Sequence, residues 1–262
     1  MSDHDMGIGL DGRQYLNAIL AREAVDVSFL SPAFSAKAAL TPVINSWGGN
    51  LVQSVSPSGS FAKGTANASG TDVDLFISLH PSTTYGLREI YLTLFNALRD
   101  VGYTVRKQDV SLGIRVGLID VDLVPGKQQT PLTTDHSLYR SRADTWTKTN
   151  VQTHIDVVRA AGRQSETRII KLWRDQNRLE FPSVYLEFVV IRALQLNFSG
   201  SLAERVWTVL RFLADNFAAV RVVDPANGSN VISDDLTLAE KLAIERAAQF
   251  SLTQQTWGSI VR

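Results

Sequence analysis

The chain has 262 residues, 44% of them hydrophobic and 20% charged, a composition that supports one large domain or two lobes. It contains no cysteine, which excludes disulfides, thiolate chemistry and cysteine-based zinc sites and fits a reducing cytoplasm. Its 26 basic and 26 acidic residues cancel, which argues against a dedicated nucleic-acid binder. The N-terminal Met1-Ser2-Asp3-His4-Asp5 is acidic with no apolar run behind it, so no signal peptide is expected. Residues 12–22 predict a helix with Tyr15, Leu16, Ile19 and Leu20 on one stripe, and residues 34–47 a second, ending at Gly48-Gly49. Residues 51–55 read as a strand leading into a Gly-Ser turn, and residues 72–79 as a strand ending near Pro81. Residues 86–99 predict an amphipathic helix that turns Leu87, Ile90, Tyr91, Leu94, Phe95 and Leu98 inward. Three strands follow at 103–107, 112–116 and 118–124, with Pro125-Gly126 expected to end the last. Residues 126–147 read as a polar loop suited to a hinge or a lid.

From about Thr149 the pattern is helical: 151–161 capped by Asn150, 165–178, 182–196 with Pro182 in the first turn, 202–216 and 237–250. The most apolar stretch, 184–196, is broken by Glu187 and Arg192 and is too short to span a bilayer. The expected fold class is α+β in two parts. Residues 1–145 form a mixed-sheet lobe with N-terminal helices, and residues 146–262 form an α-helical lobe. Between Ser137 and Arg178 nine Lys/Arg face four Asp/Glu, a local excess that suits phosphate groups better than a long duplex.

The chemistry concentrates in two segments. Ser58-Gly59-Ser60-Phe61-Ala62-Lys63-Gly64-Thr65 is followed by Thr71-Asp72-Val73-Asp74-Leu75. On a strand, the period of two puts Asp72 and Asp74 on one face. Like charges held that close call for a cation, and a carboxylate pair beside a glycine turn suits Mg²⁺ with a nucleoside triphosphate. Strand 118–124 carries a second such pair, Asp120 and Asp122. An aspartate buried unpaired costs several kcal/mol, so the economical arrangement makes the two acidic strands neighbours around a metal site. The histidines at 4, 80, 136 and 154 have no metal-ligand spacing, and neither a Gly-x-x-x-x-Gly-Lys-Ser/Thr loop nor a Gly-x-Ser-x-Gly elbow occurs.

These residues resemble the DNA polymerase β-type nucleotidyltransferase superfamily, whose signature is Gly-Ser, about ten residues, then Asp-apolar-Asp-apolar. Within it, Gly59-Ser60-Phe61-Ala62-Lys63-Gly64-Thr65 and Asp122-Leu123-Val124-Pro125 are similar to the bacterial cyclic-oligonucleotide synthases of anti-phage defence (the CD-NTases). They are similar also to oligoadenylate synthases, cyclic GMP–AMP synthase and archaeal CCA-adding enzymes. The resemblance covers roughly residues 50–250. It implies a two-lobed fold with the active site in the cleft between the lobes. It implies catalysis and metal binding by Asp72, Asp74 and Asp122, with Asp122 chosen over Asp120. Two Mg²⁺ ions are implied, Mn²⁺ being able to substitute. Nucleotide binding falls to Gly59, Ser60, Lys171 (in Arg168-Ile169-Ile170-Lys171-Leu172-Trp173) and Ser183. Asp224-Pro225 and Asn230 resemble a structural C-terminal element. In Pro182-Ser183-Val184-Tyr185-Leu186-Glu187, one alignment replaces the family's base-stacking aromatic by Val184. A second alignment supplies Tyr185, one residue and about 100° further round the helix, which otherwise reads as core.

The implied activity is template-independent joining of nucleoside triphosphates with pyrophosphate release, giving a cyclic or short linear oligonucleotide signal in the cytoplasm. Nucleoside triphosphates are the expected partners, with a nucleic-acid or protein activator and a separate effector that reads the product, and no membrane. The alternatives are nucleotide addition to a nucleic-acid 3′ end, nucleotidylation of a protein or small molecule, and a non-catalytic nucleotide-binding regulator.

Overall fold

The computed structural model describes residues 4–28, 30–70, 72–195 and 199–262. Thr71 of the motif, Leu196 at the expected end of one helix, and residues 1–3 lie outside the described residues. The chain divides into two compact units. One comprises residues 25–66 and 70–156; the other comprises the described residues up to Ala24, residues 67–69 and residues 157–262.

Helix α1 (His4–Arg22) opens the chain. The sheet unit then runs α2 (Pro32–Gly48), β1 (Val52–Pro57), α3 (Gly59–Lys63), β2 (Asp72–Leu79), α4 (Leu87–Asp100), β3 (Arg106–Lys107), β4 (Leu112–Val116), β5 (Ile119–Gln128), β6 (His136–Arg140) and β7 (Thr145–Thr149). Among the described residues these strands form one sheet in the order β1-β2-β5-β4-β3, with β6 on the end of β5 and β7 on β6. β2 and β5 are parallel, while β1–β2 and β4–β5 are antiparallel. The face of this parallel pair away from the aspartates is covered by helices, while the aspartate end of the other face stays partly open. Val73, Leu75, Phe76, Ile77 and Leu79 of β2 are buried, as are Val121 and Leu123 of β5. Leu40 and Ile44 of α2 and Ile90, Leu94 and Leu98 of α4 join Leu75, Ile77, Val121 and Leu123 in one core.

The strand expected over 103–107 shrinks to Arg106–Lys107, and two further expectations fail in this unit. β5 does not end at Pro125-Gly126 but continues to Gln128, with Pro125 paired to Ile77 and Gly126 to Ser78 of β2. β4 leaves β5 at Leu123, so the proline stands where one side of the ladder is already open and its missing N–H breaks no bond on that side. The polar loop expected over 126–147 contains the β6–β7 hairpin, whose only described buried apolar side chain is Leu138. Such a strand lacks the apolar alternation by which strands are read.

The helical unit combines α1 with α6 (Gln164–Gln176), α7 (Ser183–Ala193), α8 (Leu202–Asn216), α9 (Leu238–Leu252) and α10 (Trp257–Ile260); the division between the units falls within α5 (Val151–Ala161). α1 packs here rather than on the sheet because its buried Leu16 and Ile19 join a core with Trp173, Tyr185, Leu210, Leu213 and Phe217. Reciprocal capping boxes, Ser201 with Glu204 and Thr237 with Glu240, start α8 and α9. Asn150 caps α5 as expected, its Oδ1 accepting from the Thr153 N–H at 3.0 Å. Buried Asp224 accepts from the Ala226 N–H at 2.8 Å and organises the loop expected there. No helix among the described residues is long and apolar enough to cross a membrane.

Leu94→Ala, in the centre of α4, is expected to destabilise the sheet unit by about 3 kcal/mol through lost burial and a residual cavity, read as a lower urea midpoint with an unchanged m-value.

Candidate active site

The in-register pairing of β2 with β5 sets Asp72 opposite Asp120 and Asp74 opposite Asp122. Adjacent strands lie about 4.8 Å apart and residues two apart share a face. Four carboxylates therefore stand on one face of the sheet, two per strand.

The Gly-Ser turn meets the same face. The Ser58 N–H donates to the Asp74 carbonyl at 2.8 Å, tying the start of α3 to β2. Gly59 follows at φ +54°, and a Cβ there would lie 1.7 Å from Asp74 Oδ2. Only glycine satisfies both the left-handed backbone and this approach. Ser60 sits in the first turn of α3, its carbonyl accepting from the Thr65 N–H at 2.9 Å. Asp72, Asp74, Asp122, Gly59 and Ser60 are thus gathered in the sheet unit.

The four carboxylates differ in their partners. Asp120 is held by two guanidinium groups, Arg115 at 2.9 Å and Arg106 at 3.5 Å. Asp122 Oδ1 accepts from Gln108 Nε2 at 2.9 Å. Burial, and next the negative charge of Asp72, push the Asp122 carboxyl above its ordinary pKa against that hydrogen bond. Among the described residues, no three His, Cys, Asp or Glu side chains close around one point as a ready-made metal cage. The donors nonetheless fit a hard divalent cation in kind: carboxylate oxygens on one face, in register, with mutual repulsion that a cation would relieve.

Lys171 and Ser183 belong to the helical unit. Lys171 Nζ lies 2.8 Å from Glu187 Oε1, with the two side chains 6% and 1% exposed. Ser183 Oγ accepts from Arg174 at 3.0 Å. Tyr185 is core: its ring stacks on Phe217 with centroids 5.2 Å apart, and burial pushes its hydroxyl up to about 12. Val184 is the half-buried residue next to Ser183. His136 is also structural, hydrogen-bonded to Ser78 at 2.8 Å and set edge-on to Phe76.

Sequence reasoning missed Arg106, Arg115, Gln108 and Gly113. A glycine inside an apolar strand is a sign of close approach, and Gly113 carried that sign; nothing in the sequence pattern marked Gln108.

Breaking a buried pair by removing one partner costs about 3–5 kcal/mol, whereas replacing both with apolar groups is near neutral. Lys171→Ala is therefore expected to lower the urea-derived stability by that amount, and Lys171→Met with Glu187→Leu to restore most of it. At Asp122 the folded state holds a proton more tightly than the unfolded chain, so stability falls as pH rises from about 4 through the raised value. Asp122→Asn keeps the Gln108 bond and removes this loss. In EDTA the variant should melt higher than the parent at neutral pH, and the gain should vanish below about pH 4.

No protein-family model matches this sequence, and no curated protein matches it. Solved structures match its fold. Against E. coli MS115-1 CdnC with ATP, the TM-score is 0.73 at 20% identity, over 91% of this chain and 89% of that one. Against the Elizabethkingia meningoseptica CdnE cyclic dinucleotide synthase with GTP and Apcpp it is 0.71 at 14% identity, over 92% and 99%. Against the Cid1 poly(U) polymerase bound to MgATP it is 0.64 at 11% identity, over 92% and 93%. The chain shares the two-lobed fold of these nucleotidyltransferase structures.

Proposed function

We propose that this protein is a template-independent nucleotidyltransferase that joins a nucleoside triphosphate to an acceptor hydroxyl and releases pyrophosphate. The observation that carries this reading is the register of β2 and β5, which aligns Asp74 with Asp122 one step from Asp72, against the bare Gly59. Asp72, Asp74 and Asp122 would hold two Mg²⁺ ions, or Mn²⁺ in their place. Such ions, when bound, acidify the attacking hydroxyl and neutralise charge that builds on the triphosphate. The first amides of α3 have no intrahelical acceptor, so Gly59 and Ser60 offer close donors to the β- and γ-phosphates. Asp120 spends its charge on Arg106 and Arg115, which leaves the metal-holding role to the other three. Lys171 and Ser183 remain candidates for the triphosphate, Lys171 by exchanging Glu187 for a phosphate oxygen and Ser183 by releasing Arg174.

The acceptor we favour is a second nucleotide, giving a cyclic or short linear oligonucleotide that a separate effector reads in anti-phage defence. The balanced net charge supports this, as does the likeness to a cyclic dinucleotide synthase. The second reading, addition to an RNA 3′ end, draws on the basic excess over residues 137–178 and on the likeness to Cid1.

The test supplies all four NTPs, or all four dNTPs, with Mg²⁺ or Mn²⁺, with and without RNA, and identifies products by mass. A cyclic or short linear oligonucleotide formed without RNA is expected, and growth of RNA ends alone would select the second reading. Asp74→Asn should lower turnover on the order of 10³-fold, the scale of losing a group that stabilises transition-state charge. Unchanged turnover in that variant would overturn the carboxylate assignment.

A further inference from the structure

We infer that Gln108 is a positioning residue for the third carboxylate, Asp122, and sets the geometry in which that carboxylate meets a divalent cation. The inference rests on the nucleotidyl-transfer reading above and deepens it. An ionised carboxylate can only accept hydrogen bonds, so Gln108 must face Asp122 Oδ1 with its Nε2, at 2.9 Å. The other end of the amide, Oε1, accepts from Ser111 Oγ at 2.8 Å. Together these two contacts orient the amide.

The backbone of Gln108 is fastened as firmly as its side chain. Its N–H donates to the Ser111 carbonyl at 3.0 Å. Its carbonyl accepts from the buried Tyr91 hydroxyl at 2.8 Å and from Ser141 Oγ at 2.6 Å. Ser141 lies in the turn between β6 and β7, and its own N–H donates to the Asp109 carbonyl at 2.7 Å. The seat beneath the amide is kept open by Gly113, which pairs with Asp122 across β4 and β5. A Cβ on Gly113 would lie 3.0 Å from both Asp122 Oδ1 and Gln108 Nε2. A helix (α4), a tight loop (108–111), a hairpin turn and a bare strand position thus converge on one residue, whose side-chain amide reaches outward to the carboxylate. Partners that orient a metal ligand in this way are worth about 10- to 100-fold in metal affinity or activity.

The experiment titrates Mn²⁺ into nucleotide-free protein by electron paramagnetic resonance, alongside kcat, KM and melting temperature. The proteins compared are the wild type, Gln108→Leu, Ser111→Ala and the double variant, with Asp122→Asn marking the ion at this site. Gln108→Leu is expected to bind Mn²⁺ about 10- to 100-fold more weakly, with kcat reduced in parallel and KM for the triphosphate nearly unchanged. Ser111→Ala, which frees the amide to turn, should show a smaller loss, and the double variant should be no worse than Gln108→Leu, since both act through one group. Wild-type Mn²⁺ affinity in Gln108→Leu, or fully additive losses in the double variant, would overturn the role. If Gln108→Leu does not fold, Ser111→Ala decides, and an unchanged Mn²⁺ affinity there overturns it. A wild type that binds Mn²⁺ regardless of Asp122→Asn, or not at all, is a different outcome: it removes the metal reading itself and this role with it.

Discussion

Everything at the candidate site depends on the parallel ladder between β2 and β5. A strand shows its side chains alternately to either face, so a slip of one residue would turn both carboxylates of that strand away from those of the other. The alignment is protected by burial of the face opposite the aspartates: Val73, Leu75 and Ile77 on one strand and Val121 and Leu123 on the other fit the same core only in the observed register. The hydrophobic effect, acting on the residues between the aspartates, thus assembles an array of like charges that electrostatics alone would separate.

The fold handles those charges unequally. Asp120 is paired with two arginines from β3 and β4, Asp122 is hydrogen-bonded by a neutral amide with the Arg106 charge acting on it from further off, and Asp74 has the backbone of Gly59 packed against it. An amide offers a hydrogen bond without cancelling the charge, so Asp122, with no ion pair of its own among the described residues, is less compensated than Asp120. The same residue type at i and i+2 on one strand is divided between a closed structural pair and an open ligand by what the neighbouring strand places beside it.

Much of this was legible in the sequence, because it rests on short periods. The limits of β2 and the apolar stripe of α4 follow from spacings of two and of three to four, and the meeting of two acidic strands follows from the cost of burying aspartate. What was not legible depends on the far side of a contact. Pro125 reads as a strand end until β4 is known to have left its edge. The β6–β7 hairpin reads as a loop because Leu138 is its one described buried apolar side chain. Tyr185 could be placed on either side of its helix until Phe217, more than thirty residues on, was found beneath its ring. Gln108 belongs to the same class, since its importance lies wholly in whom it touches.

The buried pair of Lys171 and Glu187, joining α6 to α7, has a thermal consequence. Keeping two charges from water is least favourable in the cold, where their hydration is strongest, and the cost shrinks on warming because that hydration carries a negative entropy. Apolar contacts such as those of Trp173 and Leu186 in the helical core gain little per unit area over the same range. The α6–α7 junction should therefore soften less on heating than an all-apolar joint of the same size, leaving the rest of the helical core to yield first.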